Sequence, residues 1–365
     1  MALGWSGSNG GITGNRIPIS PGDLCDYPTF RRNYPYPKEI SYFINNICNL
    51  SCKHCYVAYN DDKDALSVDE WKEVFNELIS MGALTFGNVG REPTLTWDKT
   101  VDLFLYFREK RYSEPRLRFG FVNNGIMIDE DKIQDLDRIQ PDYIDISLDG
   151  TKKTHDYIRG SGVYDRVMKN LQVMSQYEII EKVFISFTAN KLNISTISEL
   201  VDILYNLGVK NILISPYVTL HKRDGLHLID EEFVKWTEKL IAGDVIDFSR
   251  YHKLNIYMKN DFMTTRNLME ELACKKIIDK DNLFVDDYGV IFNQYTFNGA
   301  NVYFNYLPWD DFLVRAIRIS HDGYVSNCFD MFFPNYPQRA IGNVRKSSIS
   351  KILQRDTALL AVGSS

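Results

Sequence analysis

From Glu39 to Ala242 the chain alternates two hydrophobic patterns. Short, nearly continuous apolar runs cover Glu39–Asn46, Ala83–Val89, Leu117–Val122, Tyr143–Leu148, Val183–Thr188 and Asn211–Ser215, and each reads as a buried strand. Between them, longer stretches repeat apolar residues three and four apart, the period of an amphipathic helix. These are Ser67–Ser80, Asp98–Lys110, Glu130–Ile139, Val163–Gln176 and Ser195–Leu207, with a further one at Asp230–Ala242. In the first, Trp71, Val74, Phe75 and Leu78 share a face, and Ser67 with Glu70 makes an S-x-x-E capping box. Gly208 is a stop signal for Ser195–Leu207. About six strand–helix units predict an α/β fold with a parallel sheet, and the lack of a doubly wound signature favours an open, partial (β/α)6 barrel of the TIM type. In such folds chemistry sits beyond the carboxyl ends of the strands.

Past residue 245 the pattern changes. Leu283–Phe292 and Ile317–Val325 each run strand, acidic-Gly turn, strand, and so predict hairpins, and Ser347–Leu353 predicts a short helix. The expected division is an arm over 1–38, the barrel over 39–244 and a smaller unit over 245–365.

With 44% hydrophobic and 25% charged residues the composition is that of an ordinary globular protein, and a net charge of −6 without a basic stripe argues against nucleic acid as a partner. No apolar run approaches the roughly 20 residues that span a bilayer. The Gly/Ser-rich Met1–Asn15 lacks the apolar core of a secretory signal, so no membrane partner and a cytoplasmic setting are expected. The six cysteines, at 25, 48, 52, 55, 274 and 328, show no disulfide framework. Clustered thiols in such a chain point to metal binding or catalysis.

Three of them fall within Cys48-Asn-Leu-Ser-Cys52-Lys-His-Cys55, directly after the first strand. Three thiolates are one short of the four that close a structural zinc site or an ordinary iron–sulfur cluster. Four other polar segments also follow strands: Gly90-Arg-Glu-Pro93, Asn123-Asn-Gly125, Ser147-Leu-Asp-Gly150 and Ser215-Pro216.

In this order the segments resemble the motifs of the radical S-adenosylmethionine (radical SAM) superfamily. Gly90-Arg91-Glu92-Pro93 is similar to its Gly-Gly-Glu-Pro motif, and Phe121–Gly125 to its Thr-Asn-Gly turn. Ile146–Gly150, His155-Asp156, Ile158-Arg159-Gly160 and Gly162, followed by Phe187–Asn193, are similar to the branch of sulfatase maturases and peptide-modifying enzymes. The resemblance covers roughly residues 39–220.

It implies that Cys48, Cys52 and Cys55 hold a [4Fe-4S] cluster whose open iron is chelated by the amino and carboxylate groups of S-adenosylmethionine. Reductive cleavage then gives methionine and a 5′-deoxyadenosyl radical that abstracts a hydrogen atom from a substrate. His54 takes the position of an adenine contact or is a plain loop histidine. Gly90, Glu92 and Pro93 would face the methionine amino group, and Ser147 and Arg159 its carboxylate, which a guanidinium fork matches. Asn123 and Asn124 would contact ribose or fix their turn. Arg91 departs from the motif's second glycine, a residue that admits positive φ and close approach.

Gly323–Cys328 and Ile341–Val344 resemble the SPASM or twitch extension that carries auxiliary clusters in many relatives, but Cys25, Cys274 and Cys328 cannot fill four ligand positions. A degenerate, twitch-like unit without an auxiliary cluster is expected. Cys328 then reads as a hydrogen-atom donor or as a small buried hydrophobe.

The resemblance favours a peptide substrate, including ribosomally made peptides. The reaction type stays open among oxidation, epimerisation and bond formation. A small sugar or amino-acid derivative is the alternative, and an iron–sulfur redox-sensing protein without SAM cleavage is the alternative of another class. The 47 residues before Cys48 are too few for a wound leader-binding module, so leader recognition would fall to a separate partner. A flavodoxin or ferredoxin is the implied electron donor.

Overall fold

The structure is a computed structural model, and it describes residues 16–20, 38–55, 61–217, 225–258, 266–288, 290–306, 316–326, 336–338 and 340–354. The chain divides into two compact units, neither of them contiguous in sequence. One comprises Met1–Tyr36, Leu50–His54 and Asn124–Phe312; the other comprises Pro37–Asn49, Cys55–Asn123 and Leu313–Ser365. No helix among the described residues is long and apolar enough to cross a membrane.

In the second unit, β2 (Lys38–Tyr42), β3 (Ala83–Asn88) and β4 (Arg118–Asn123) run parallel, with Ser41 beside Gly87 and Gly87 beside Gly120. The cover is α1 (Val68–Ser80) and α2 (Trp97–Lys110). The expected capping box is present: Glu70 N donates to Ser67 Oγ at 3.2 Å, and Ser67 N to Glu70 Oε2 at 2.8 Å. Tyr42, Phe75, Phe86 and Phe107, all fully or nearly fully buried, fill the layer between sheet and helices, with ring centroids 4.9 Å apart for Tyr42–Phe75 and 4.7 Å for Phe86–Phe107. These contacts exceed what area burial alone supplies. On the far side of β2, β12 (Ala316–Ile319) joins in parallel and turns into the predicted hairpin with β13 (Tyr324–Ser326), which pairs with β14 (Gly342–Asn343). Residues 349–354 are helical.

In the first unit β5 (Tyr143–Ser147), β6 (Val183–Ala189), β7 (Asn211–Pro216), β8 (Asn255–Met258) and β11 (Ala300–Asn305) form one parallel ladder. β10 (Ile291–Phe297), β9 (Leu283–Val285) and β1 (Ile17–Ile19) extend it antiparallel, and β9 with β10 is the other predicted hairpin. Six helices belong to this unit: α3 (Glu130–Ile139), α4 (Lys152–Arg159), α5 (Val163–Met174), α6 (Ile197–Asn206), α7 (Asp230–Ala242) and α8 (Arg266–Cys274). Past residue 245 strand–helix alternation runs on through β8 and α8 before the antiparallel strands begin, and parallel pairing continues through β8 and β11.

Alternation along a strand sends successive side chains to opposite faces. Ile146 lies on the helix-covered face, against Gly125 and Val167 of α5. The other face is layered. At the amino ends of the strands, Asn255 Nδ2 donates to Asn211 Oδ1 (3.1 Å), Asn301 Nδ2 to Asn255 Oδ1 (3.2 Å), Gln294 Nε2 to Asn301 Oδ1 (2.8 Å) and Arg16 Nη1 to Gln294 Oε1 (2.6 Å). Above this ladder lies a buried cluster of Tyr143, Phe184, Leu213, Tyr257, Phe292 and Tyr303. Two residues further along each strand the same face turns polar: Asp145 and Ser147, Ser186 and Thr188, Ser215, and Asn305.

Candidate active site

Cys48, Cys52 and Cys55 form no disulfide and are each partly exposed, on or at the end of the stretch 43–55 after β2, which has neither helix nor strand. Within the first unit this stretch is latched to α4. Lys53 N donates to Ile158 O at 2.8 Å, and the Lys53 ammonium sits 3.1 Å from the Tyr157 ring centroid. His54, mostly buried, places Nε2 3.6 Å from Asp149 Oδ2 and 3.5 Å from Arg159 Nη2, with its ring edge-on to Tyr217 at 6.2 Å between centroids.

Asp149 organises this half of the site. Its carboxylate is fully buried, and Arg159 Nε donates to Oδ2 at 2.6 Å while Thr188 N donates to Oδ1 at 2.8 Å. Burial opposes its ionisation, but Arg159 and then His54 and His155 outweigh burial and hold the carboxyl below the usual carboxylate range. His155, one turn before Arg159 on α4, accepts from Asp149 N through Nδ1 at 3.0 Å. Burial, and then the Arg159 charge, push its pKa down to about 4, so the ring is neutral near pH 7 with its hydrogen on Nε2. Asp156 accepts from Gly162 N (3.0 Å) and Tyr164 N (2.8 Å), which fixes the start of α5. Gly150 has φ +111°, and a side chain there would also run into Thr154 and Thr196. Ser147, the last residue of β5, is half-buried and stands beside Ser186 in register.

The second unit holds the Gly90–Pro93 turn. Glu92 is fully buried and starts a short 3-10 turn, Pro93–Thr96; its carboxylate Oε1 accepts from Thr94 N at 3.1 Å and from the Thr94 hydroxyl. Asn45 Nδ2 donates to Glu92 O at 2.8 Å. Gly90 is required for space: a Cβ would lie 3.0 Å from Ile44 N and 3.2 Å from Asn45 O. Arg91 is not among the residues with positive φ, so the missing second glycine leaves this backbone unstrained.

Asn123 and Asn124 are buried. Asn124 Oδ1 accepts from Ile126 N at 3.0 Å, the turn-forming bond anticipated for it, and Asn170 Nδ2 holds Gly125 O at 2.7 Å. Cys274 is exposed at the end of α8, and Cys25 and Cys328 lie outside the described residues. The sequence motifs contain Asp149 and His155 but give neither a role of its own. Their signal was the i, i+4 spacing of His155 and Arg159, which sets both side chains on one helical face.

The comparisons bear on this arrangement. Residues 42–204 match the model of the Radical SAM superfamily. Over 211 residues the chain is 31% identical to the Fe-coproporphyrin III synthase of Methanosarcina barkeri, covering 57% of this chain and 50% of that one. It is 28% identical over 170 residues to the sporulation killing factor maturation protein SkfB of Bacillus subtilis, covering 45% and 39%. The chain thus spans half or less of the length of these curated relatives. Its fold is similar to that of Streptococcus suis SuiB, solved bound to precursor peptide SuiA, with TM-score 0.64 and 16% identity, covering 91% of this chain and 68% of that one. The matched span, residues 42–204, is a radical SAM superfamily segment. The superfamily's cofactors are a [4Fe-4S] cluster on three cysteines and S-adenosylmethionine, and Cys48, Cys52 and Cys55 are its cysteine set here.

The donor chemistry fits this cofactor pair. Soft thiolates suit iron–sulfur clusters. Among the described residues no three His, Cys, Asp or Glu side chains are grouped as for one metal ion; in a four-iron cluster each thiolate serves its own iron, so such grouping is not required.

Proposed function

We propose that the protein is a radical SAM enzyme that abstracts a hydrogen atom from a peptide substrate. The observation that carries the reading is the latch between the cysteine loop and the helix that bears Arg159, made by Lys53 N on Ile158 O and by His54 and Arg159 on Asp149. When bound, the cluster and S-adenosylmethionine supply one-electron cleavage of the sulfonium and a carbon-centred radical. The chain's part is to bind, orient and keep water away. Asp149 takes the guanidinium through Nε and so sets the plane of the Arg159 fork for the methionine carboxylate, with Ser147 as a second donor. His155 fixes the Asp149 backbone from below. Glu92 and the backbone of Gly90 and Pro93 serve the amino group, His54 the adenine, and Asn123 and Asn124 the ribose side. The clustered thiols favour a cytoplasmic setting, with a flavodoxin or ferredoxin as electron donor.

The peptide reading is supported by the fold's likeness to SuiB, solved with its precursor peptide. A tetrapyrrole is the second reading, favoured by the 31% identity to Fe-coproporphyrin III synthase. The test is anaerobic reconstitution with dithionite and S-adenosylmethionine, following 5′-deoxyadenosine with a panel of synthetic peptides and with an iron tetrapyrrole precursor of iron-coproporphyrin III, the compound that this relative is named for making. Stimulation by peptides is expected. Stimulation by the tetrapyrrole precursor alone selects the second reading, and no 5′-deoxyadenosine from a protein with full cluster content removes the enzyme.

A further inference from the structure

The polar end of this layered sheet face in the first unit contains a buried amide that the fold does not use. Asn305 ends β11 and is fully buried, and neither its Nδ2 nor its Oδ1 has a hydrogen-bond partner. Buried amides left unmet destabilise the fold around them, and native proteins almost always pair them. Asn211, Asn255 and Asn301, on the same face, are paired.

Its position gives the reason. Phe304 is in register with Met258, and Met258 with Ile214; Asn305 and Ser215 each follow by one residue, and Ser215 pairs with Thr188. Thr188 N in turn holds Asp149. Asn305 is therefore at the carboxyl-end rim, three strands and about 14 Å along the stack from β6. A carboxamide offers a donor and an acceptor, and a trans peptide unit can meet either one of them with its own C=O or N–H. The described rim positions on this face are Asp145, Ser147, Ser186, Thr188, Ser215 and Asn305.

We propose that Asn305 is a substrate-recognition residue that pairs with a peptide unit of the substrate. This rests on the enzyme reading and names the chemistry its rim selects. The test uses the anaerobically reconstituted full chain. The Asn305 side-chain amide resonance, assigned with Asn305→Asp, is followed by NMR during titration with N-methylacetamide, acetamide or sodium acetate. A saturable shift is expected with N-methylacetamide and none with acetate. A stronger response to acetamide keeps the amide chemistry and moves its source to a carboxamide side chain. In parallel, Asn305→Leu should melt at or above the wild-type temperature, because it removes an unmet polar group. Three results overturn the inference: a resonance indifferent to both amides, as for an amide held by a permanent water; an equal response to acetate; or a melting temperature lowered by about 4 °C or more in Asn305→Leu. Neither arm reads SAM cleavage, so failure here leaves the enzyme reading standing, and its failure leaves these outcomes interpretable.

Discussion

At the amino ends of the first unit's strands, Arg16, Gln294, Asn301, Asn255 and Asn211 hand one hydrogen bond to the next across neighbouring strands, beneath a layer of buried aromatics. At the carboxyl ends of the same strands, on the same face, polar groups are arranged around Asp149 and Arg159, and Asn305 is left unmet. One end uses polarity to satisfy itself; the other holds polarity in reserve. The contrast separates scaffold from chemistry: changes at the closed end should cost stability, and changes at the rim should cost function.

The largest effect tests the rim. Cys52→Ala should lose essentially all cluster iron and all 5′-deoxyadenosine formation while the protein keeps its helical circular dichroism; retained full iron content would place the cluster elsewhere. Next is the closed end. Tyr257 is fully buried and stacks on Tyr303 with centroids 5.0 Å apart. Tyr257→Ala should destabilise the chain by about 3–5 kcal/mol in urea unfolding, with SAM cleavage per folded molecule close to wild type. A selective loss of cleavage would break the division between the two ends.

A smaller cost is expected for Asn255→Leu, which strands the Asn211 acceptor and the Asn301 donor. About 2–4 kcal/mol should be lost, the opposite of the outcome expected for Asn305→Leu. Equal behaviour of the two variants would erase the comparison. The smallest effect concerns pH. His155 is neutral in the fold with its pKa lowered to about 4, whereas the unfolded chain's histidine titrates near 6.5. Its contribution is fully present above the unfolded value and is lost as pH falls from there toward the folded one. Between about pH 7.5 and 5.5 the wild type should lose about 1 kcal/mol more stability than His155→Asn, which keeps an acceptor for Asp149 N. Parallel pH profiles would show that His155 does not carry this term.

Much of this was legible in the sequence. Local signals placed α1 with its capping box, both hairpins and the strand–helix alternation, because caps, turns and hydrophobic period are short-range. Motif order located the segments at the strand ends for the same reason. Helix α4 was missed because only His155 and Ile158 of its eight residues are buried, so its apolar period is too thin to read. Strands β8 and β11 were missed as parts of the parallel ladder because their partners lie far away in sequence. The layered face is a product of register, which no single segment encodes. Arg91 was read as a threat to its turn because the glycine pattern does not say which glycine carries the constraint; here it is Gly90, and the constraint is space.

The central claim is that Cys48, Cys52 and Cys55 hold a cluster whose fourth iron takes the amino and carboxylate ends of S-adenosylmethionine. Electron–nuclear double resonance on the dithionite-reduced, reconstituted protein tests it most directly, with S-adenosylmethionine isotopically labelled in its amino nitrogen. The account predicts a nitrogen coupling to the cluster that appears with the labelled compound and vanishes in Cys52→Ala together with the cluster signal. A cluster signal of full intensity that shows no coupling to the label at saturating S-adenosylmethionine would contradict it.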